Sequence, residues 1–225
     1  MRLQKIMLVI LVIVLFGCSK ENKEITIKGR INGFNNEKVE YTTPIDGKWF
    51  YGNKKSIAPD SLGGFQIKMN IDEPSFVTIY VLGKSGGVLV VEPGKTYDVD
   101  FNIGENKNKN KFIVNSENSL AQNLYNSYPT PEFYISAVQY FLTDSIPSEI
   151  SKKINNQQEN TLSKFDELLE KGKISKGFHE LALSDRKSYY LAMEATVAKM
   201  LLYKYENNKL KLTAATNFWS QKLDP

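Results

Sequence analysis

The chain has a single cysteine, Cys18, and a single histidine, His179. One thiol excludes a disulfide within the chain, and it excludes the Cys-x-x-Cys pair that catalysed thiol–disulfide exchange uses. One histidine excludes His-rich and Cys/His zinc sites and paired-histidine proton relays. No apolar run reaches the roughly twenty residues that cross a bilayer as a helix; the most apolar stretch, Ile6 to Phe16, is well short of it. A strong excess of charge of one sign is also missing. The formal balance is +4, and setting aside residues 1–17 with Arg2 and Lys5 leaves 27 basic against 25 acidic side chains. From a body that close to neutral no strong nucleic-acid footprint follows. What is present is 41% hydrophobic and 12% aromatic residues, enough for a packed core and too much for wholesale disorder.

Arg2 and Lys5, the apolar run Ile6 to Phe16, and then Gly17-Cys18-Ser19 have the layout of a secretory signal. Leu15-Phe16-Gly17-Cys18 resembles the lipobox of bacterial lipoproteins, which implies lipidation of the Cys18 thiol and cleavage before it. Residues 1–17 are then a signal peptide and 18–24 a polar lipidated tether. Two or more acyl chains anchor stably where one is marginal, so the body is expected to be soluble but tethered. The alternative is an uncleaved anchor or a buried strand with Cys18 as an ordinary core thiol. Glu21 and Glu24, just behind the anchor, are weak support for display on the outer face.

From residue 25 to 115 the pattern is short alternating runs broken by turn residues. Strands are expected at Ile25 to Ile31, Val39 to Tyr41, Trp49 to Tyr51 continuing through Ser56 to Ala58, Phe65 to Met69, Phe76 to Leu82, Val88 to Val91, Tyr97 to Phe101 and Phe112 to Val114. Phe76 to Leu82 is apolar on both faces and reads as a central strand. Gly83 to Gly87 and Glu92-Pro93-Gly94-Lys95 read as turns. Together these describe an antiparallel β-sandwich or open barrel.

From 116 to 225 the period becomes helical. Ser116 or Asn118 is positioned to cap a helix whose inward stripe is expected at Leu120, Leu124 and Tyr128. Phe133 to Leu142 is a second short helix. Pro147 starts a third, with Ile150, Ile154, Thr161, Phe165 and Leu168 inward and Gly172 as its stop. A fourth runs from near Ser175 to about Tyr205. Asn207 to Lys211 reads as a loop. Phe218 and Trp219 in the tail require cover, either by folding back on the helices or by further chain. The expected class is α+β, with a sandwich at 25–115 followed by a helical domain at 116–225.

No constellation for catalysis emerges, and no cofactor or metal is expected. Ser184 and Asp185 lie near His179, but residues five or six apart on one helix do not converge as a triad must; a solvated helix histidine is the plainer reading. The Lys/Asn run after Ile103-Gly104-Glu105 reads as a solvated hairpin tip. Asp60, Asp72 and Glu73 lack the spacing of a calcium loop. Gly83-Lys84-Ser85-Gly86-Gly87 lacks P-loop order and leads into a strand. Trp49, Phe50 and Tyr51 place aromatics on both faces of one strand, so Trp49 and Tyr51 are candidates to stack on a sugar or a partner, against the plainer reading of core and edge cover.

Ala58-Pro59-Asp60-Ser61-Leu62-Gly63-Gly64-Phe65-Gln66-Ile67, Glu73-Pro74, Val91-Glu92-Pro93-Gly94-Lys95 and Phe112-Ile113-Val114-Asn115-Ser116, with Leu124-Tyr125 behind, resemble the N-terminal domain of Bacteroidetes lipoproteins of the DUF4369 type. That domain commonly precedes a helical segment and a thioredoxin-like domain of the TlpA/AhpC family. Ile174-Ser175-Lys176-Gly177-Phe178 and Tyr189-Tyr190-Leu191-Ala192 are similar to the helical segment. The chain departs from these relatives in having no Cys-x-x-Cys, so only Cys18 carries over as a site. The expectation is a non-enzymatic lipoprotein of the cell envelope, at the outer membrane and more on its periplasmic face than at the cell surface. It would act as a binding or scaffolding module for another envelope protein. The alternatives are the recognition half of a thiol–disulfide oxidoreductase, with a thioredoxin-like partner, and a glycan-binding surface lipoprotein.

Overall fold

A computed structural model of the chain describes residues 22–44, 52–104, 110–116, 118–129, 134–143 and 146–223. Cys18, Trp49 and Tyr51, and with them the expected signal peptide and the strand at Trp49 to Tyr51, lie outside the described residues. The strands are β1 (Glu24–Asn32), β2 (Val39–Thr42), β3 (Lys54–Ile57), β4 (Gly64–Asn70), β5 (Ser75–Val81), β6 (Ser85–Val91), β7 (Thr96–Asn102) and β8 (Lys111–Val114). They form two four-stranded sheets, ordered β4-β1-β7-β8 and β3-β2-β5-β6. The helices are α1 (Ser119–Ser127), α2 (Tyr134–Phe141), α3 (Pro147–Glu170), α4 (Lys176–Lys204) and α5 (Lys209–Leu223). The α+β class and the sandwich-then-helices order are those expected from the sequence.

Alternation dictates the sandwich core. Ile25, Ile27 and Ile31 of β1, Phe65 and Ile67 of β4, Val77, Ile79 and Val81 of β5, and Tyr97, Val99 and Phe101 of β7 turn to one interior. β5 sits between β2 and β6, as its apolar faces require. Its second face carries Phe76, which stacks on Tyr125 of α1 with ring centroids 5.7 Å apart. One pairing departs from an all-antiparallel sandwich: β1 and β7 are parallel, in register from Thr26↔Thr96 to Asn32↔Asn102. Hairpins produce only antiparallel neighbours. Between β1 and β7 the chain crosses to the other sheet for β2 and β3, comes back for β4, and crosses again for β5 and β6, so β7 is not a hairpin partner of β1 and can run parallel to it.

The helices pack in two clusters. Val90 of β6, Ala121 and Tyr125 of α1, Phe165 and Leu168 of α3, and Phe178 and Ala182 of α4 bind the outer face of the second sheet to the helices. Val138 and Phe141 of α2, Ile150 and Ile154 of α3, Tyr189 to Leu201 on α4, and Ala215 and Trp219 of α5 form a helical core. The boundary α3–α4 is sharp for a local reason: Gly172 has φ of 62°, its N–H donates to the Leu169 carbonyl, and Lys173 N–H donates to that of Leu168. That is a left-handed helix stop, which glycine adopts without steric cost. Ser175 then caps α4 by accepting from Phe178 N–H at 3.0 Å.

Three expectations are corrected. The buried residues of α1 are Ala121, Gln122 and Tyr125, and Leu120 is 64% exposed, so the inward face is rotated from the Leu120-Leu124-Tyr128 stripe. Neither candidate cap acts as a side-chain cap there: Asn118 makes no capping bond, and Ser116 Oγ accepts from Asp98 N–H. The expected loop and short tail at the C-terminal end are instead one helix, α5, begun by Asn208, whose Oδ1 accepts from Lys211 N–H at 3.1 Å. Trp219 folds back and is 3% exposed.

The rotation of α1 has a cause in hydrogen bonding. Gln122 spans Val90: its Oε1 accepts from Val90 N–H at 3.1 Å and its Nε2 donates to Val90 O at 2.7 Å. Asn126 spans Val88 in the same way, at 2.8 Å in both directions. Asn123 spans Val114, at 3.0 and 2.8 Å. β6 and β8 are the last strands of their sheets on one side of the sandwich, so the amides of one helix replace the missing neighbour strand on both edges. Gln122 is fully buried. Gln122→Ala strands a buried donor and acceptor at about 1–3 kcal/mol each, so denaturant unfolding should show a loss of about 2–6 kcal/mol. A loss under 1 kcal/mol would contradict the bridging role.

Candidate binding groove

A wide recess runs between the C-terminal half of α4 and the antiparallel α5. It measures about 880 Å³ and is walled by Ala195, Ala198, Lys199, Leu202, Tyr203 and Glu206 on one side and Thr216, Trp219, Ser220 and Leu223 on the other. Both walls repeat at spacings of three and four, the seam with which one helix receives another. Small side chains at Ala195, Ala198, Thr216 and Ser220 leave the floor low, while Tyr203 stands 65% exposed at the rim. The indole Nε1 of Trp219 is buried with no hydrogen-bond acceptor among the described residues, and its ring meets Phe218 edge-on at 4.9 Å. Lys199 and Glu206 place one charge of each sign beside the groove. Glu194 below is 7% exposed and accepts from Ser151 Oγ at 2.7 Å, with Lys222 Nζ at 3.9 Å. This arrangement suits an apolar ridge with polar flanks. It offers no activated nucleophile.

A second recess of about 410 Å³ lies where sandwich meets helices, between Glu92, Lys95 and Tyr97 on the strands and Asn118, Lys173 and Ser175 on the helical side. Tyr97 Oη accepts from Glu92 N–H at 2.8 Å, and burial holds this hydroxyl neutral well above the ordinary tyrosine range. The Glu92 carboxylate accepts from the Ser175 hydroxyl over the α4 N-terminus. The Glu92-Pro93-Gly94-Lys95 turn thus joins the sandwich to the helices.

Among the described residues the most deeply buried charge is Arg186, 2% exposed. Its Nε donates to Asp185 Oδ2 at 2.9 Å, its Nη2 donates to the same oxygen, and its Nη1 donates to Pro129 O at 2.7 Å. The guanidinium lies 5.1 Å from the ring centroids of both Tyr125 and Tyr189. Burial opposes its charge, but Asp185 and then Tyr125 more than offset this, so Arg186 stays a cation. Tyr125 Oη donates to Asp185 at 2.8 Å, and burial first, then the Asp185 charge, raise its pKa far out of range. The cluster ties α1 to α4. Sequence reasoning missed it, because an Asp-Arg pair in a long helix looks like solvated surface.

His179 is less solvated than expected: its Nε2 lies 2.7 Å from Asp166 Oδ1 of α3, and its side chain is 14% exposed. Ser184 and Asp185 are not brought to it. Asp72 pairs with Lys23, and Glu73 offers its carbonyl to Ser75 Oγ. Among the described residues no group of three or more His, Cys, Asp or Glu side chains could hold a metal ion. Gly83-Lys84-Ser85-Gly86-Gly87 also has Gly-x-Ser-x-Gly spacing. Here the run makes a β5–β6 hairpin instead of a strand-to-helix elbow. β6 extends to Gly86 and Gly87, earlier than expected. A Cβ on Gly87 would sit 2.1 Å from Phe112 Cδ1, so close packing accounts for that glycine. No family model, no curated protein and no solved structure matches the chain.

Asp60 serves a turn and not an ion. Its Oδ1 accepts from the N–H groups of Leu62 and Gly64, both at 2.8 Å, and these bonds, Gly64 first, hold its carboxyl below the ordinary aspartate value. A depressed folded pKa contributes stability that is present above the unfolded value of about 3.9 and is lost as pH falls through the lower folded value. Asp60→Asn should lower Tm at pH 7, and the gap to wild type should narrow as pH falls toward 3. A gap constant with pH would contradict this.

Proposed function

We propose that this chain is a lipid-anchored protein of the bacterial cell envelope, tethered through Cys18 at the outer membrane on the periplasmic face, whose sandwich and helices form a non-catalytic binding or scaffolding module. The α4–α5 groove carries the reading: it is a wide recess, its walls have helix-receiving periodicity, and it lies away from the sandwich joint. The lipobox-like Leu15-Phe16-Gly17-Cys18 supports the tether. The likeness to the DUF4369 type supports a second reading, the recognition half of a thiol–disulfide oxidoreductase, in which the groove's occupant belongs to a protein that carries Cys-x-x-Cys. For a glycan-binding role the support is Trp49 and Tyr51 alone.

A photoreactive side chain at Tyr203 of the full chain, irradiated in cells, should give a discrete adduct with another envelope protein, and Leu202→Glu should abolish it. Absence of any adduct above that of a probe at exposed Leu62 would overturn the binding role. A Cys-x-x-Cys protein in the adduct would select the second reading. Cys18→Ala should move the protein from membranes to the soluble fraction, and retention after alkaline wash would overturn the tether.

A further inference from the structure

The described residues treat the four sheet edges unequally. β6 and β8 are bridged by the amides of α1. β3 is four residues long and carries Lys54 and Lys55, a short charged edge that resists pairing. β4 is longer, and its pairing to β1 runs without a bulge from Arg30↔Gly64 to Glu24↔Asn70. Two bonds bracket this ladder: Ile31 N–H donates to Gly63 O at 2.9 Å and Ile71 N–H to Lys23 O at 3.0 Å. Bonded positions alternate along an antiparallel pair. The odd-numbered residues from 63 to 71 therefore bond toward β1, and Gly64, Gln66, Lys68 and Asn70 turn their N–H and C=O groups outward. The Gly64 groups are taken by Asp60, whose carboxylate accepts and whose backbone N–H donates, both at 2.8 Å. Those of Gln66, Lys68 and Asn70 have no main-chain partner among the described residues.

We infer that a second copy of this chain adds to this edge, β4 against β4, antiparallel about a two-fold axis at Ile67. In that register Gln66 and Lys68 of the other copy exchange both main-chain bonds, and the symmetric pair does the same. The row Phe65, Ile67 and Met69 continues into its own copy across the axis, with Ile67 meeting Ile67. On the outer face each Lys68, held within its copy by Glu24 at 2.8 Å, comes opposite a neutral Gln66 amide that can accept from it. An axis at Lys68 would set two ammonium groups directly opposite, which disfavours that register. Avoidance of that like-charge pair favours the Ile67 axis over the Lys68 axis, and the strand is self-complementary about it.

The test uses the full chain in cell membranes, with cysteines at two exposed positions. In the proposed register Gln66 and Lys68 of opposite copies have Cα atoms about 5.5 Å apart, within disulfide reach, whereas like positions are about 8–9 Å apart and beyond it. Co-expressed Gln66→Cys and Lys68→Cys chains should yield disulfide-linked dimer under mild oxidation at several times the level of either variant alone. Equal yields in all three arms, or none, would overturn the inference, as would a linked product containing a different protein. Sedimentation of the detergent-solubilised chain gives an independent readout. Gln66→Glu, which sets a carboxylate opposite Lys68 twice, should tighten the dimer roughly two- to tenfold at low salt. A wild-type chain that stays monomeric up to high micromolar concentration would contradict the pairing.

Discussion

The first helix after the sandwich is fixed to it by three side-chain amides, and the other helices are placed from there. A strand edge is a row of unpaired donors and acceptors, and a sandwich has such rows on both sides. Helix α1 closes two of them at once, because Gln122 and Asn126 lie one turn apart and reach Val90 and Val88 on β6, while Asn123 points to Val114 on β8. Each amide presents an N–H donor and a C=O acceptor side by side toward the strand, so it copies the peptide group of the strand it replaces. The geometry fixes both the rotation of α1 and its height along the sheets.

Once α1 is fixed, the rest follows by contact. Tyr125, on the same helix, stacks on Phe76 of β5 and donates to Asp185 of α4. Asp185 neutralises Arg186, and Arg186 fastens the carbonyl of Pro129 beyond α1. A buried cation of this kind is retained only when every neighbour serves it, which makes the junction intolerant of partial substitution. The Glu92–Ser175 contact gives a second joint at the N-terminus of α4. α4 then runs from the sandwich joint to the groove, so that the recess beside α5 is held by a helix anchored at its other end in the sheet.

The sandwich was legible in the sequence because burial alternates with period two: Ile25 and Ile27, or Val77, Ile79 and Val81, announce the inner face directly. The parallel β1–β7 pairing was not, since strand order depends on which sheet each connection enters. The long helices were legible from Pro147, Gly172 and Ser175. α1 was misread because its buried contact is polar: the hydrophobic rule points to Leu120, while Gln122 takes the interior. α5 was misread because its apolar residues form no clean stripe, and its start rests on Asn208 alone. The groove was legible only as a need, through Phe218 and Trp219, since its walls belong to two helices of which one was not expected.

The central claim is that amide side chains substitute for a strand at both edges, and it is tested most directly by hydrogen exchange of three backbone amides in the native protein. Val88, Val90 and Val114 should exchange as slowly as amides of the central strands β5 and β7, opening only with the sheets themselves. Exchange at the rate of exposed edge amides, with β5 and β7 still protected, would contradict the account.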